Sequence, residues 1–198
     1  MARVNRFRTF AMHVPAGPRT ALAVALLVIM APRCAGAGPA SWLFIDTVGE
    51  TLQVVQDNEV KHVFRNIAIG RNGTEFDRLR GDGRTPLGVY RIAWINRDSR
   101  FRVFFGLDYP SIQNAEEAFR HKLIDFDTWS AIRRAHYRGE LPPQDTALGG
   151  NIGIHGLGRA SRFIHERSNW TMGCIALTNE QIDQLAHWVS LGTRVVIY

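Results

Sequence analysis

The chain has 198 residues and a formal net charge of +6 at neutral pH, because 24 Lys and Arg outnumber 18 Asp and Glu. Five of these arginines and none of the acids lie in residues 1–37, so residues 38–198 are close to neutral. This near-neutral charge, together with the lack of a basic patch interleaved with aromatic residues, argues against nucleic-acid binding. The length of residues 38–198 suits one domain with a sizeable core.

The amino-terminal segment has the order of a secretory signal peptide. Arginines come first, an apolar run follows from Ala21 to Met30, and the small residues Ala35-Gly36-Ala37 end the segment. The apolar run is too short to cross a bilayer, which needs about 20 apolar residues. We therefore expect residues 1–37 to be a signal peptide, and residues 38–198 to be exported to the periplasm or cell envelope.

Short strands are predicted in the first part of the exported chain. Runs of β-branched and aromatic residues, separated by turn residues, predict an antiparallel meander between Trp42 and Gly70. Glycines bracket a loop over residues 70–83, and further strands are predicted over residues 89–95 and 101–109.

A helical segment then interrupts the strands. Residues 111–124 carry acidic side chains early and basic ones late, which suits the dipole of a helix. Asp127 is predicted to cap a second helix that ends at Gly139. The helical insertion is therefore expected at about 111–140.

Strands return at the carboxyl-terminal end, over residues 151–154, 175–177 and 194–198. Before the last strand, Thr178 and Gln181 form a capping-box pattern that begins a helix. The fold expected from these patterns is one mostly-β domain with a helical insertion and one late helix.

Cys174 is the only cysteine left when the leader is removed, because Cys34 lies inside the leader. An exported protein with one thiol cannot form an internal disulfide, so this cysteine is either buried and inert or chemically active. Gly173 before it allows a tight turn of the backbone. The N–H groups of Gly173 and Cys174 could then hold the oxyanion that forms when a thiolate attacks a carbonyl.

A thiol with a pKa of about 8.5 needs a neighbouring base at neutral pH. His155 follows a predicted strand and precedes Gly156, so we expect it at a strand end, facing Cys174. A zinc site built from these two residues and His165 is disfavoured, because a second thiol and paired-ligand spacing are both lacking. No metal and no cofactor are expected.

Residues 149–177, GGNIGIHGLGRASRFIHERSNWTMGCIAL, resemble the catalytic domain of L,D-transpeptidases, also called the YkuD-like domain. The family pattern is a His, a gap in the high teens and then Ser/Thr-x-Gly-Cys, and 18 residues separate His155 from Cys174 here. The stretch GDGRTPLGVYRI at residues 81–92 resembles the part that leads into this domain's core. The resemblance implies a YkuD-like β-sandwich over residues 38–198, with one helix after Cys174.

The resemblance also implies the roles of the site residues. Cys174 corresponds to the family nucleophile, His155 to its base, and the backbone carbonyl of Gly156 to the group that orients the histidine. Gly173, Thr171 and Met172 correspond to the oxyanion and substrate-binding positions.

The implied function is an exported L,D-transpeptidase that acts on peptidoglycan stem peptides. Cys174 attacks a stem carbonyl, releases the terminal D-amino acid and forms an acyl-enzyme. An amine of another stem, or of an envelope protein, then accepts the acyl group. Sortase-type transfer is disfavoured, because the next arginine after Cys174 is Arg194, beyond a helix.

A hydrolase with the same Cys–His pair is the alternative function. If water takes the acyl group, the enzyme is a peptidoglycan L,D-carboxypeptidase or amidase. Family members often carry His at the position of Met172 and Arg or Asn at that of Ala176. These two departures predict a looser acceptor site with a measurable hydrolytic product.

Overall fold

The computed structural model describes residues 41–198, so the predicted signal peptide lies outside the described residues. Ten strands occur in this part of the chain: β1 Trp42–Asp46, β2 Thr51–Gln56, β3 Glu59–Arg65, β4 Thr74–Glu75, β5 Thr85–Pro86, β6 Gly88–Ser99, β7 Arg102–Leu107, β8 Gly153–His155, β9 Ile175–Ala176 and β10 Arg194–Ile197. Four helices accompany them: α1 Ile112–Arg120, α2 Phe126–Arg138, α3 Arg162–His165 and α4 Asn179–Leu185. The prediction of a mostly-β fold is confirmed.

Eight of the strands form one sheet in the order β3-β2-β1-β10-β6-β7-β8-β9. The long strand β6 joins its two halves, because it pairs with β10 through its first residues and with β7 through its last. Ala68, just after β3, exchanges two backbone hydrogen bonds of 2.9 and 2.7 Å with Ala176 in β9. The two ends of the sheet therefore meet, and both halves contribute to one buried core that includes Leu43 and Phe105.

The helical insertion lies between β7 and β8, as predicted. Ser111 caps α1, and its hydroxyl accepts a hydrogen bond from the backbone of Asn114. The cap of α2 is Asp125 and not Asp127, because the Asp125 carboxylate accepts the Thr128 N–H at 2.8 Å. Asp127 lies in the first turn, where a negative charge also favours the helix dipole.

The remaining differences concern short elements. The strand pair β4–β5 and the single-turn helix α3 are not predicted from the sequence. Elements of two to four residues are too short to show a periodic pattern of apolar residues. Strand β8 begins at Gly153 rather than at 151, since Asn151 has a φ of +54° and cannot extend a strand. The predicted capping box of Thr178 and Gln181 is confirmed at the start of α4. Within residues 41–198, every helix is too short or too polar to cross a membrane.

Candidate active site

The parallel neighbours β8 and β9 bring His155 and Cys174 to one face of the sheet. His155 is in register with Ala176, and Cys174 precedes Ala176 by two residues. Side chains two residues apart along an extended chain point to the same face. His155 and Cys174 are therefore diagonal neighbours, and both line one cleft of about 780 Å³.

Aromatic rings enclose the imidazole of His155 in this cleft. Phe101 and Phe104 stack on it with centroid distances of 4.2 and 5.9 Å, and Trp170 meets it edge-on at 6.1 Å. These contacts hold the plane of the ring and exclude water from its faces. No sequence motif points to the two phenylalanines, because only the pairing of β7 with β8 sets Phe104 opposite His155.

The backbone orients His155 through its Nδ1 atom. Nδ1 lies 2.7 Å from the carbonyl oxygen of Gly156, and a carbonyl only accepts, so Nδ1 carries the proton. The neutral ring then has a free lone pair on Nε2. Burial lowers the pKa of His155 to about 4, although the bond to Gly156 opposes this shift, so the imidazole is neutral at physiological pH.

The Cys174 side chain is half-buried and its thiol donates to the carbonyl oxygen of Asn151 at 3.6 Å. Burial raises the pKa of this thiol to about 11, while a backbone hydrogen bond at Gly153 and the charge of Arg78 act in the opposite direction. The resting pair is thus a neutral thiol beside a neutral imidazole.

Thr171 fixes the turn that carries Cys174. Its hydroxyl donates to the Cys174 carbonyl at 2.6 Å and accepts the Gly173 N–H at 3.1 Å. Gly173 has a φ of +123°, and a Cβ there would lie 2.6 Å from the Arg84 carbonyl oxygen. The position therefore requires glycine. The Gly173 N–H, a predicted oxyanion donor, is engaged by Thr171 in this structure.

Arg78 is a buried cation near Cys174, and no sequence motif points to it. Only 3% of the residue is exposed, and its Nε lies 3.4 Å from the carboxylate of Asp82. A Cβ on Gly173 would lie 3.5 Å from its Nη1, which has no hydrogen-bond partner among residues 41–198. Its positive charge therefore lies next to the turn that carries Cys174.

Three other residues considered from the sequence, Met172, Ala176 and His165, lie in different surroundings: one in the cleft and two buried. Met172 lines the cleft and is half exposed. Ala176 is fully buried, its backbone pairs with that of Ala68, and its side chain does not line the cleft. His165 lies in α3; it is buried and accepts a hydrogen bond from the indole of Trp170 at 3.3 Å. Within the described residues, the cleft lining does not include His165.

Comparisons with known proteins agree with the fold. A family model described as the L,D-transpeptidase catalytic domain, YkuD, matches residues 40–197. Among solved structures, the chain is similar to the helical cell shape determining protein Pgp2 from Campylobacter jejuni, with 19% identity and a TM-score of 0.54 over 81% of this chain and 48% of that chain. It is also similar to Bd1075 from Bdellovibrio bacteriovorus, with 17% identity and a TM-score of 0.53 over 82% and 49%.

The chain thus spans about half the length of these two structures, and the likeness to them is one of fold. No curated protein sequence matches the chain. The family model covers most of the described residues, including the cleft and both strands that position His155 and Cys174. The chain belongs to the L,D-transpeptidase catalytic domain (YkuD) family, whose members act on peptidoglycan in the cell envelope.

Proposed function

We propose that this protein is an exported L,D-transpeptidase that acts on peptidoglycan stem peptides through an acyl-enzyme on Cys174, with His155 as the base. The observation that carries the proposal is the pairing, in one cleft, of the only thiol of residues 38–198 with a neutral imidazole. The Gly156 carbonyl holds that imidazole with Nε2 unprotonated. Family membership supplies the substrate class.

In the acylation step, Nε2 of His155 takes the thiol proton while the sulfur bonds to the carbonyl carbon of the stem peptide. The resulting oxyanion is held by backbone N–H groups at Cys174 and, when its bond to Thr171 opens, at Gly173. The oxyanion then collapses and the C–N bond to the terminal D-amino acid breaks. The leaving amine receives the proton from His155, and a thioester remains on Cys174.

In the second step, an amine from another stem, or from an envelope protein, loses a proton to His155 and attacks the thioester. The C–S bond breaks, and the sulfur recovers its proton from the imidazolium. Phe101 and Phe104 shield the His155 imidazole from water, and this desolvation disfavours its charged form. The imidazole is therefore neutral before and after each step.

Hydrolysis is the second candidate function, and Met172 is the observation that favours it. Its side chain is 51% exposed in the cleft and has neither a charge nor a hydrogen-bond donor for an acceptor stem. Water then competes for the thioester. In this alternative the same residues release a shortened stem with a free carboxylate.

The catalytic assignment is tested by Cys174→Ala and His155→Gln, assayed by mass spectrometry on defined muropeptides. We expect no product with Cys174→Ala and acylation at least about a hundredfold slower with His155→Gln. His62→Gln, an exposed histidine on β3, is the matched control and should keep full activity. Product formation by Cys174→Ala would contradict the assignment.

The two candidate reactions are separated by varying the acceptor amine. With a tetrapeptide stem we expect crosslinked product to rise with acceptor concentration, together with a measurable tripeptide acid at low acceptor. Met172→His should lower the hydrolysed fraction, because it adds a hydrogen-bonding group at the acceptor side. Hydrolysis alone at saturating acceptor would assign the protein as a carboxypeptidase or amidase.

A further inference from the structure

A second cavity, of about 650 Å³, adjoins the cleft that holds Cys174. The two cavities share Ser99 and Arg100, at the turn between β6 and β7, so this turn forms the wall between them. The lining of the second cavity contains four arginines and a single acidic residue: Arg97, Arg100, Arg102, Arg159 and Asp183. We call this cavity the arginine pocket.

Most of the positive charge in the arginine pocket is not neutralised. Arg102 forms a two-pronged ion pair with Asp183, whose oxygens lie 2.7 and 2.8 Å from its Nε. The other three arginines have no ion-pair partner among residues 41–198. The nearby acid Glu180 lies 3.9 Å from Arg162 and also interacts electrostatically with Arg102, and Asp98 lines the cleft that holds Cys174 instead. The pocket therefore attracts anions.

The frame of the arginine pocket is rigid. The Asn179 side chain accepts the Gly158 N–H at 2.8 Å and donates to the Gly158 carbonyl at 3.0 Å. Gly158 has a φ of +59°, and a Cβ there would lie only 2.0 Å from the carbonyl oxygen of Arg100. The loop that carries Arg159 is thus pressed against the turn that carries Arg100. The backbone positions of Arg100 and Arg159 are therefore fixed relative to each other, and their exposed side chains are accessible to a carboxylate.

We propose that the arginine pocket is a subsite for the carboxylate groups of the same stem peptide whose carbonyl reaches Cys174, an inference that rests on the proposed function. Arginine suits this role, because its planar donors match the two oxygens of a carboxylate. The two cavities adjoin at Ser99 and Arg100. One extended peptide can therefore cross this turn and occupy both cavities. The ligand class is an acidic peptide, and Arg97, Arg100 and Arg159 hold its negative charges.

The test compares two peptides on the full-length chain carrying Cys174→Ala, which cannot turn them over. One peptide is a tetrapeptide stem with free carboxylates, and the other is the same stem with every carboxylate amidated. We expect the chain to bind the acidic peptide about tenfold more tightly, as a few charge pairs near a surface provide. The double variant R97Q/R159Q should abolish this preference and leave the dissociation constant of the amidated peptide unchanged.

The matched control is R134Q/R138Q, which removes the same charge from exposed arginines on α2, outside the pocket. The control should retain the preference for the acidic peptide. The proposal is overturned if the parent binds both peptides equally or does not bind the acidic one, or if R97Q/R159Q behaves like the control. A chain with Cys174 intact that binds the acidic stem but never processes it would contradict the proposed function and leave the pocket assignment standing.

Discussion

At the scale of single residues, the pKa of the Cys174 thiol depends on burial, on a backbone hydrogen bond at Gly153 and on the charge of Arg78. Burial raises the pKa of the thiol, and the buried guanidinium opposes this. Replacing Arg78 with Gln should therefore raise the thiol pKa further and slow alkylation of Cys174 by iodoacetamide at a fixed pH near 8, because the thiolate fraction falls. Arg78→Lys keeps the charge and should retain most of the rate.

The control for this substitution is Arg80→Gln, since Arg80 is exposed and hydrogen-bonds to Asp145, away from the thiol. Thermal unfolding of each variant shows whether its fold is intact. An alkylation rate that is the same for Arg78→Gln and Arg80→Gln would show that the buried cation has no influence on the Cys174 thiol.

Thr171 allows a second prediction at the residue scale. Replacing it with Val removes both hydrogen bonds that tie its hydroxyl to Gly173 and Cys174, with little change of volume. We expect kcat to fall on the order of tenfold or more and stability to fall by about 1–2 kcal/mol, since the turn loses its brace. Thr171→Ser keeps the hydroxyl and should stay near the parent in steady-state assays. Equal loss with Ser and Val would point to packing of the methyl group instead.

At the scale of elements, the loop after β8 packs closely against the turn between β6 and β7, and this contact requires glycine at position 158. Gly158→Ala places a Cβ against the Arg100 carbonyl at a left-handed position, so both strain and a backbone clash result. Gly139→Ala, at the end of α2, has a similar φ of +68° but open space around it. Gly139→Ala should cost about 1 kcal/mol, and Gly158→Ala clearly more. Chemical denaturation measures both, and equal costs would exclude the backbone clash.

At the scale of the whole molecule, stability depends on pH through the burial of His155. Burial lowers its pKa from 6.5 to about 4, so between these values the unfolded chain binds a proton that the folded chain does not. The free energy of unfolding therefore falls as pH decreases through this window, by about 3 kcal/mol at most from this residue. Denaturation at pH 7 and pH 4.5 should show a smaller loss for His155→Gln than for the parent. The same loss in both chains would assign the pH dependence to other groups.

Much of the fold and the centre of the site follow from local sequence patterns. The strands β1, β2 and β10, the capping box before α4 and the glycine that ends α2 are encoded by neighbouring residues, so the sequence alone predicts them. The motif around His155 and Cys174 is also recognisable from the sequence, because both residues lie within one short segment at the spacing of the family pattern. Asp125 and Asp127 show the limit of such patterns, because either residue type can cap a helix and only the backbone geometry decides.

The rest depends on contacts between distant segments, which no local pattern encodes. Phe104 encloses the imidazole because β7 pairs with β8, and Arg78 lies beside Gly173 because its loop approaches the turn that carries Cys174. Ala176 looks like a substrate position in the motif, yet its pairing with Ala68 buries it. The sequence by itself therefore predicted Cys174 and His155 as the reactive pair. Tertiary structure alone decided their protonation states and the charges around them, because burial and long-range electrostatics depend on segments that meet only in the folded chain.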